Sequence, residues 1–232
     1  MTDFLLPDWS APANVRALVT TRAFGNLADH VGDEKSAVAT RRAALRERLP
    51  AEPLWLTQVH GTRCVPAETA PAGSEADAAW AGSPRCVCAV LTADCLPILF
   101  CDEAGTKVAA AHAGWRGLAA GVVESTVAAM AIAPERLMAW LGPAIGPSAF
   151  EVGDDVRAAF VTADAATQAA FVARPNGKWL CDLYALARRR LANSGVTRVF
   201  GGGRCTFTET ELFYSYRRER ETGRMASLVW LT

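Results

Sequence analysis

Between residues 86 and 112 three short apolar runs follow one another with only turn chemistry between them: Cys86–Thr92, Pro97–Cys101 and Val108–His112. Such runs read as strands, and connections this short cannot hold the helical crossover that parallel neighbours require. The spacing therefore predicts a mixed sheet at the centre of an α/β (α+β) fold. Around it the pattern predicts strands at Val15–Thr21, Leu54–Val59, Arg63–Pro66 (returning beside the previous one), Asp77–Trp80, Leu137–Leu141, Val196–Phe200 and Met225–Leu231. Apolar stripes at helical spacing predict helices over Glu34–Leu49, Trp115–Met130, Asp154–Phe160 and Asp182–Ala192. Asp182 is a candidate cap for the last of these, and Gly195 falls just past its end.

No stretch is polar or repetitive enough to be a linker, and 51% apolar against 21% charged residues is ordinary globular usage. A single catalytic domain, 1–232, is expected. Basic and acidic residues balance at 24 each, which removes the electrostatic case for nucleic acid or an anionic membrane as partner and points to a small-molecule substrate. A monomer or small homo-oligomer is expected. Seven cysteines, an odd number scattered through apolar stretches, and no secretory signal pattern indicate a reduced, cytoplasmic setting. The most hydrophobic region, Cys86–Phe100, is interrupted by Asp94 and Pro97, too soon for a membrane span.

Three predicted strands end in chemistry. Gln58-Val59-His60-Gly61 and Ala111-His112-Ala113-Gly114 place two of the three histidines at strand ends before glycine, and Thr92-Ala93-Asp94-Cys95-Leu96-Pro97 places a thiol at a third. Strand ends expose side chains at the rim of a sheet while holding them rigidly. Two imidazoles and a thiolate suit zinc, with the fourth tetrahedral position left free as in catalytic sites; copper is the alternative metal. Taken singly, Cys95 is equally a core thiol and His60 a rim histidine, because no short-range ligand pair such as Cys-x-x-Cys fixes the set.

Asp94, in an otherwise apolar segment, either orients a metal-bound histidine or stabilises a local turn. Gly114-Trp115-Arg116-Gly117 opens a helix directly after His112. Free amides, close approach at Gly114 and Gly117, and the guanidinium of Arg116 make it a candidate phosphate site, or Arg116 a surface ion-pair partner. Tyr214-Ser215-Tyr216-Arg217-Arg218 is either an edge strand or a substrate wall to which Arg217 contributes.

Taken together, L-T-Q-V-H-G, L-T-A-D-C-L-P, A-H-A-G-W-R-G, L-G-P-A-I-G-P and S-Y-R-R-E-R-E-T-G-R-M-A-S-L-V-W-L closely resemble the YfiH family, whose members carry the labels laccase-domain or multicopper polyphenol oxidase, purine nucleoside phosphorylase and peptidoglycan editing factor. The resemblance runs from about Thr21 to Trp230. It implies a four-layer α/β/β/α sandwich, related to the fold of bacterial toxin deamidases that use a Cys-His pair. It also implies zinc on His60, Cys95 and His112, and phosphorolysis and deamination of adenosine and related purine nucleosides. In a deamination of that kind Asp94 would be the carboxylate that moves the proton. Two departures concern substrate contacts: Thr21–Leu27 is a short version of a usually longer glycine-rich loop, and Arg41 stands where the family has asparagine.

A coupled oxygen-reducing copper cluster needs several imidazoles beyond the ligand set, and only His30 remains. Three alternatives stay open beside the zinc phosphorylase and deaminase: a metal-free Cys95–His112 hydrolase or amidase acting on peptidoglycan precursors, a copper-dependent polyphenol oxidase, and a non-catalytic metal-binding protein.

Overall fold

The computed structural model describes residues 2–232. In chain order the elements are β1 (Phe4–Leu5), β2 (Val15–Thr20), α1 (Lys35–Arg46), β3 (Pro53–Leu54), β4 (Cys64–Pro66), β5 (Ala78–Ala81), β6 (Val87–Thr92), β7 (Leu96–Asp102) and β8 (Val108–Ala113). They continue with α2 (Trp115–Ala120), α3 (Val122–Met130), β9 (Leu137–Leu141), β10 (Glu151–Val152), α4 (Asp154–Val161), β11 (Phe171–Ala173), β12 (Trp179–Cys181), α5 (Leu183–Asn193), β13 (Arg198–Gly201), α6 (Tyr216–Glu219) and β14 (Met225–Leu231).

Two mixed sheets form the centre, one of five strands in the order β1-β2-β14-β6-β3 and one of six in the order β13-β9-β7-β8-β5-β4; β10, β12 and β11 make a small third sheet. The apolar runs are continuous because both faces of the inner strands are covered, so alternate side chains enter different cores. On β7, Ile98 and Phe100 face the helices while Leu99 and Cys101 face the other sheet; on β6, Cys88 and Val90 face the six-stranded sheet while Val87, Ala89 and Leu91 face α1. Helices α2 to α5 cover the six-stranded sheet through Leu118, Val123, Met130, Phe160 and Leu186, and α1 covers the five-stranded sheet through Leu45. Three apolar layers thus separate four structural layers, α/β/β/α.

The three central strands do not share a sheet. β6 belongs to the five-stranded sheet and β7 and β8 to the six-stranded one, so the chain crosses between sheets at Ala93-Asp94-Cys95. The expected strand Leu54–Val59 is ordered as a strand only at Pro53–Leu54, and Cys64–Pro66 pairs with β5 in the other sheet instead of returning beside it. The long helix expected over Trp115–Met130 is broken at Gly121, whose φ of +106° caps α2 and starts α3. The Tyr214–Arg218 segment is not an edge strand: Ser215 caps the short helix α6 by accepting from the Arg218 amide. All seven cysteines are free thiols, and among the described residues no helix is long and apolar enough to cross a membrane.

Candidate metal centre

The sheet crossing builds the site. β6 ends at Thr92, Asp94 turns with φ +88°, and β7 begins at Leu96, leaving Cys95 at the rim. The Ile145 amide donates to the Asp94 carbonyl (2.9 Å), and the Asp94 carboxylate accepts from Thr206 Oγ1 (2.6 Å) and the Arg217 amide (2.7 Å). Both oxygens of Asp94 are therefore engaged by the 206–217 segment. Of the two roles expected of this residue, the geometry assigns the turn and not the orientation of a histidine.

His112 comes from the end of β8, which pairs with β7 so that Pro97 lies opposite His112. It is 3% exposed. His60 reaches the same point from an irregular segment and has φ +61°, a left-handed backbone uncommon for a side chain of this size. The Cys95 Sγ lies 3.7 Å from His60 Nε2, and the two imidazole rings meet edge to face at 4.8 Å. The three candidate ligand atoms all lie within 4.8 Å of one another. Two ligands on a tetrahedral zinc stand roughly 3.5 Å apart, so the observed spacing and the N, S, N donor set fit that ion.

Asp77 joins the two histidines. Its Oδ1 accepts from His112 Nδ1 (2.8 Å) and from the His60 amide (2.9 Å), and its Oδ2 accepts from the amides of Gly61 (2.6 Å) and Val59 (3.2 Å). Burial works to raise the pKa of this carboxyl, but the hydrogen bonds from His112 and the 59–61 amides outweigh it and hold the group below the usual range. Sequence reading takes Asp77 only as the first residue of a strand. The available signal is an acid heading an otherwise apolar run, Ala76 to Ala81, where a carboxylate requires partners.

Burial also works to raise the Cys95 pKa, but the charge on His112 and hydrogen bonds from both imidazoles bring it down to about 6. In return His112 is raised against its own burial by the Cys95 thiolate and by Asp77. Each partner thus favours the charged form of the other, which shifts the sulfur toward the thiolate that a soft metal or a thiol mechanism requires.

Gly114 and Gly117 serve this packing. A Cβ at Gly114 would lie 2.7 Å from His60 Cδ2 and 3.0 Å from Cys95 Sγ, and one at Gly117 would lie 2.8 Å from the Gly61 carbonyl oxygen. Both positions are filled against the histidine segment, so the site's own side chains and backbone require their small size. α2 itself spans only Trp115–Ala120.

A cleft of about 520 Å³ opens over the trio. Leu56, Leu91, Ile145 and Leu183 give it an apolar wall, with Trp115, Phe150 and Tyr216 as aromatic surfaces. Each aromatic is paired with an arginine that also lines the cleft: Arg116 over Trp115 (4.4 Å), Arg217 over Phe150 (5.4 Å) and Arg224 over Tyr216 (5.9 Å). Arg217 also donates to the Glu151 carbonyl (2.8 Å), whereas Arg116 is exposed at the rim. Arg224 lies close enough to feel the Cys95 and Asp94 charges; its backbone amide donates to Asn26 Oδ1 (2.9 Å), which ties the short 21–27 loop to the cleft. Arg41, at the departure from the family pattern, binds Asp33 (2.6 Å) and the Asn26 carbonyl (3.2 Å), so it fastens that loop from the other side.

Fold and site together define a class: an α/β/β/α sandwich with an imidazole–thiol–imidazole centre where the chain passes between its sheets. The chain belongs to the family described as multi-copper polyphenol oxidoreductase laccase, which matches residues 19–232. It is 55% identical to a Pseudomonas aeruginosa protein named purine nucleoside phosphorylase, over 100% of this chain and 99% of that one. It is 52% identical to the Escherichia coli purine nucleoside phosphorylase YfiH, over 100% of both. Among solved structures, a Neisseria meningitidis protein matches with a TM-score of 0.96 and 51% identity over 99% of each chain. Bacillus licheniformis YfiH matches with a TM-score of 0.92 and 27% identity over 100% of this chain and 97% of that one.

Proposed function

We propose that this protein is a zinc-dependent purine nucleoside phosphorylase acting as one catalytic domain on adenosine and related nucleosides. The observation that carries the reading is the juxtaposition of the His60–Cys95–His112 trio with a cleft lined by both flat aromatic surfaces and arginine side chains. The names of the relatives that cover the whole chain support it.

His60, Cys95 and His112 would hold the zinc, which supplies Lewis-acid polarisation of a substrate oxygen when bound. The residues of the chain do the rest. Trp115, Phe150 and Tyr216 offer faces for the base, and the apolar wall excludes water around the glycosidic bond. Arg116, and Arg224 through the nitrogens that the Thr222 and Gly223 carbonyls leave unengaged, would supply donors for phosphate, and a guanidinium fork can orient the attacking oxyanion. Deamination of adenosine, the second activity implied by the family resemblance, needs a carboxylate able to move a proton. Asp94 has both oxygens engaged, so phosphorolysis is the primary activity in this reading.

A second reading rests on one observation: Asp77, His112 and Cys95 are also connected as orienting carboxylate, base and thiol. A metal-free thiol hydrolase or amidase would use that arrangement. The deciding experiment is metal analysis of protein purified without added metal, with a nucleoside and phosphate assay before and after chelation. We expect about one zinc per chain, adenine and a ribose phosphate as products, and loss of both zinc and activity in Cys95→Ala. Full zinc occupancy in Cys95→Ala would refute the ligand set, and activity that survives chelation but not alkylation would favour the thiol reading.

A further inference from the structure

We infer that Asp77 is a positioning residue that fixes both imidazoles of the centre at once, selecting Nε2 of His112 as its working atom and holding His60 in its left-handed backbone. This rests on the zinc reading only for its effect on metal affinity.

Asp77 is 0% exposed, and among the described residues no lysine or arginine pairs with it. A buried carboxylate is tolerated only when its oxygens are hydrogen-bonded, and the donors here are of two kinds. One is the His112 ring. Because Nδ1–H donates to Oδ1 at 2.8 Å, Nδ1 is committed as a donor and the lone pair of the neutral ring sits on Nε2. The other is the run of amides at Val59, His60 and Gly61, all of which point at the same carboxylate. That run turns the chain at His60, whose φ of +61° is a left-handed backbone that such a side chain keeps only where its surroundings hold it. Gly117 completes the hold by letting α2 pack onto the Gly61 carbonyl.

A purely structural tie between 59–61 and β5 would need the amides but not the imidazole. The shared oxygen is the distinguishing feature: Oδ1 serves His112 Nδ1 and the His60 amide together, so the position of one histidine is set by the same atom as the other. An asparagine cannot replace it. One end of the amide would accept as Oδ1 does, while its NH₂ would face the Val59 and Gly61 amides, donor against donor.

The test uses Asp77→Asn and the wild-type protein. Zinc affinity is measured by competition with a chromophoric chelator, alongside the thermal midpoint, and the histidine ring nitrogens are observed by long-range ¹H–¹⁵N correlation. We expect folded Asp77→Asn to bind zinc about 10- to 100-fold more weakly at unchanged stoichiometry. In wild type we expect a His112 Nδ1 proton protected from exchange in both metal-free and zinc-loaded protein, with Nε2 taking the metal, and we expect that protection to vanish in the variant. Wild-type zinc affinity in a folded Asp77→Asn protein would overturn the inference, as would a His112 ligated through Nδ1. If Asp77→Asn does not fold, the wild-type spectra decide alone. If wild type binds no zinc, the phosphorylase reading fails, while a protected Nδ1 proton still supports Asp77 and an unprotected one overturns it.

Discussion

The side-chain amide of Gln58 holds both backbone groups of Leu91: its Nε2 donates to the Leu91 carbonyl at 2.8 Å, and its Oε1 accepts from the Leu91 amide at 2.7 Å. A side chain thus continues the sheet edge that β3 leaves after pairing with Val87 and Cys88. The backbone of residues 56–60 is released from β6 and is free to turn His60 toward Cys95.

Replacing that amide removes both bonds from one buried residue. Gln58→Leu is expected to cost about 1–3 kcal/mol, because the Leu91 donor and acceptor lose their partners together. Urea unfolding measures the loss, and a change within error would mean that water substitutes for the amide.

Gly114→Ala places a methyl carbon 2.7 Å from His60 Cδ2 and 3.0 Å from Cys95 Sγ. Overpacking of this kind costs about 1–3 kcal/mol. Because the neighbours are the candidate ligands, zinc affinity should fall further than the thermal midpoint alone implies. A folded Gly114→Ala protein with unaltered zinc binding would show that His60 has room to move.

Arg116→Ala should raise the phosphate requirement more than the nucleoside requirement, with a loss of about 1.5–3 kcal/mol, roughly a ten- to hundred-fold fall in rate at subsaturating phosphate. Arg224→Ala should behave alike. Steady-state kinetics varying each substrate separately distinguishes this from a general defect. Equal loss toward both substrates would assign these arginines to the fold instead of to the oxyanion.

Stability at acid pH should depend on Glu219. Burial works to raise its pKa, but hydrogen bonds from Thr222, Arg22 and Arg218 outweigh it and hold the group at about 2 against an ordinary value of 4.5. A depressed carboxyl contributes stability that is fully present above the unfolded value and is lost as pH falls through the folded one. Unfolding midpoints for wild type should therefore decline between about pH 5 and 2, and the decline should be shallower in Glu219→Gln. Parallel curves would show that other carboxyls carry the acid transition.

Most sheet strands and the candidate ligands were legible because each rests on local pattern, an apolar run with a His or Cys at its end beside a turn. What was not legible depended on distant partners. Leu54–Val59 carries a strand pattern, but the requirement to deliver His60 overrides it, and the Gln58–Leu91 contact that makes this tolerable joins residues far apart in sequence. Trp115–Met130 carries one helical stripe, and only the left-handed Gly121 splits it. The partners of Asp94 and Asp77 are hidden for the same reason. Asp94 adjoins the thiol in sequence but is taken by Thr206 and Arg217, whereas Asp77 reaches His112 only through the pairing of β5 with β8.

The placement of β14 sets the order in which the molecule can be completed. Met225–Leu231 lies between β2 and β6, pairing Ser227 with Val19 and Met225 with Thr92. During synthesis, β2 and β6 must wait, unjoined and with apolar edges open, until residues 225–231 have left the ribosome. Until then the chain carries two unjoined strand edges, and Arg224, which directly precedes β14, joins the cleft only in the closing step. Assembly of the cleft is therefore coupled to closure of the five-stranded sheet.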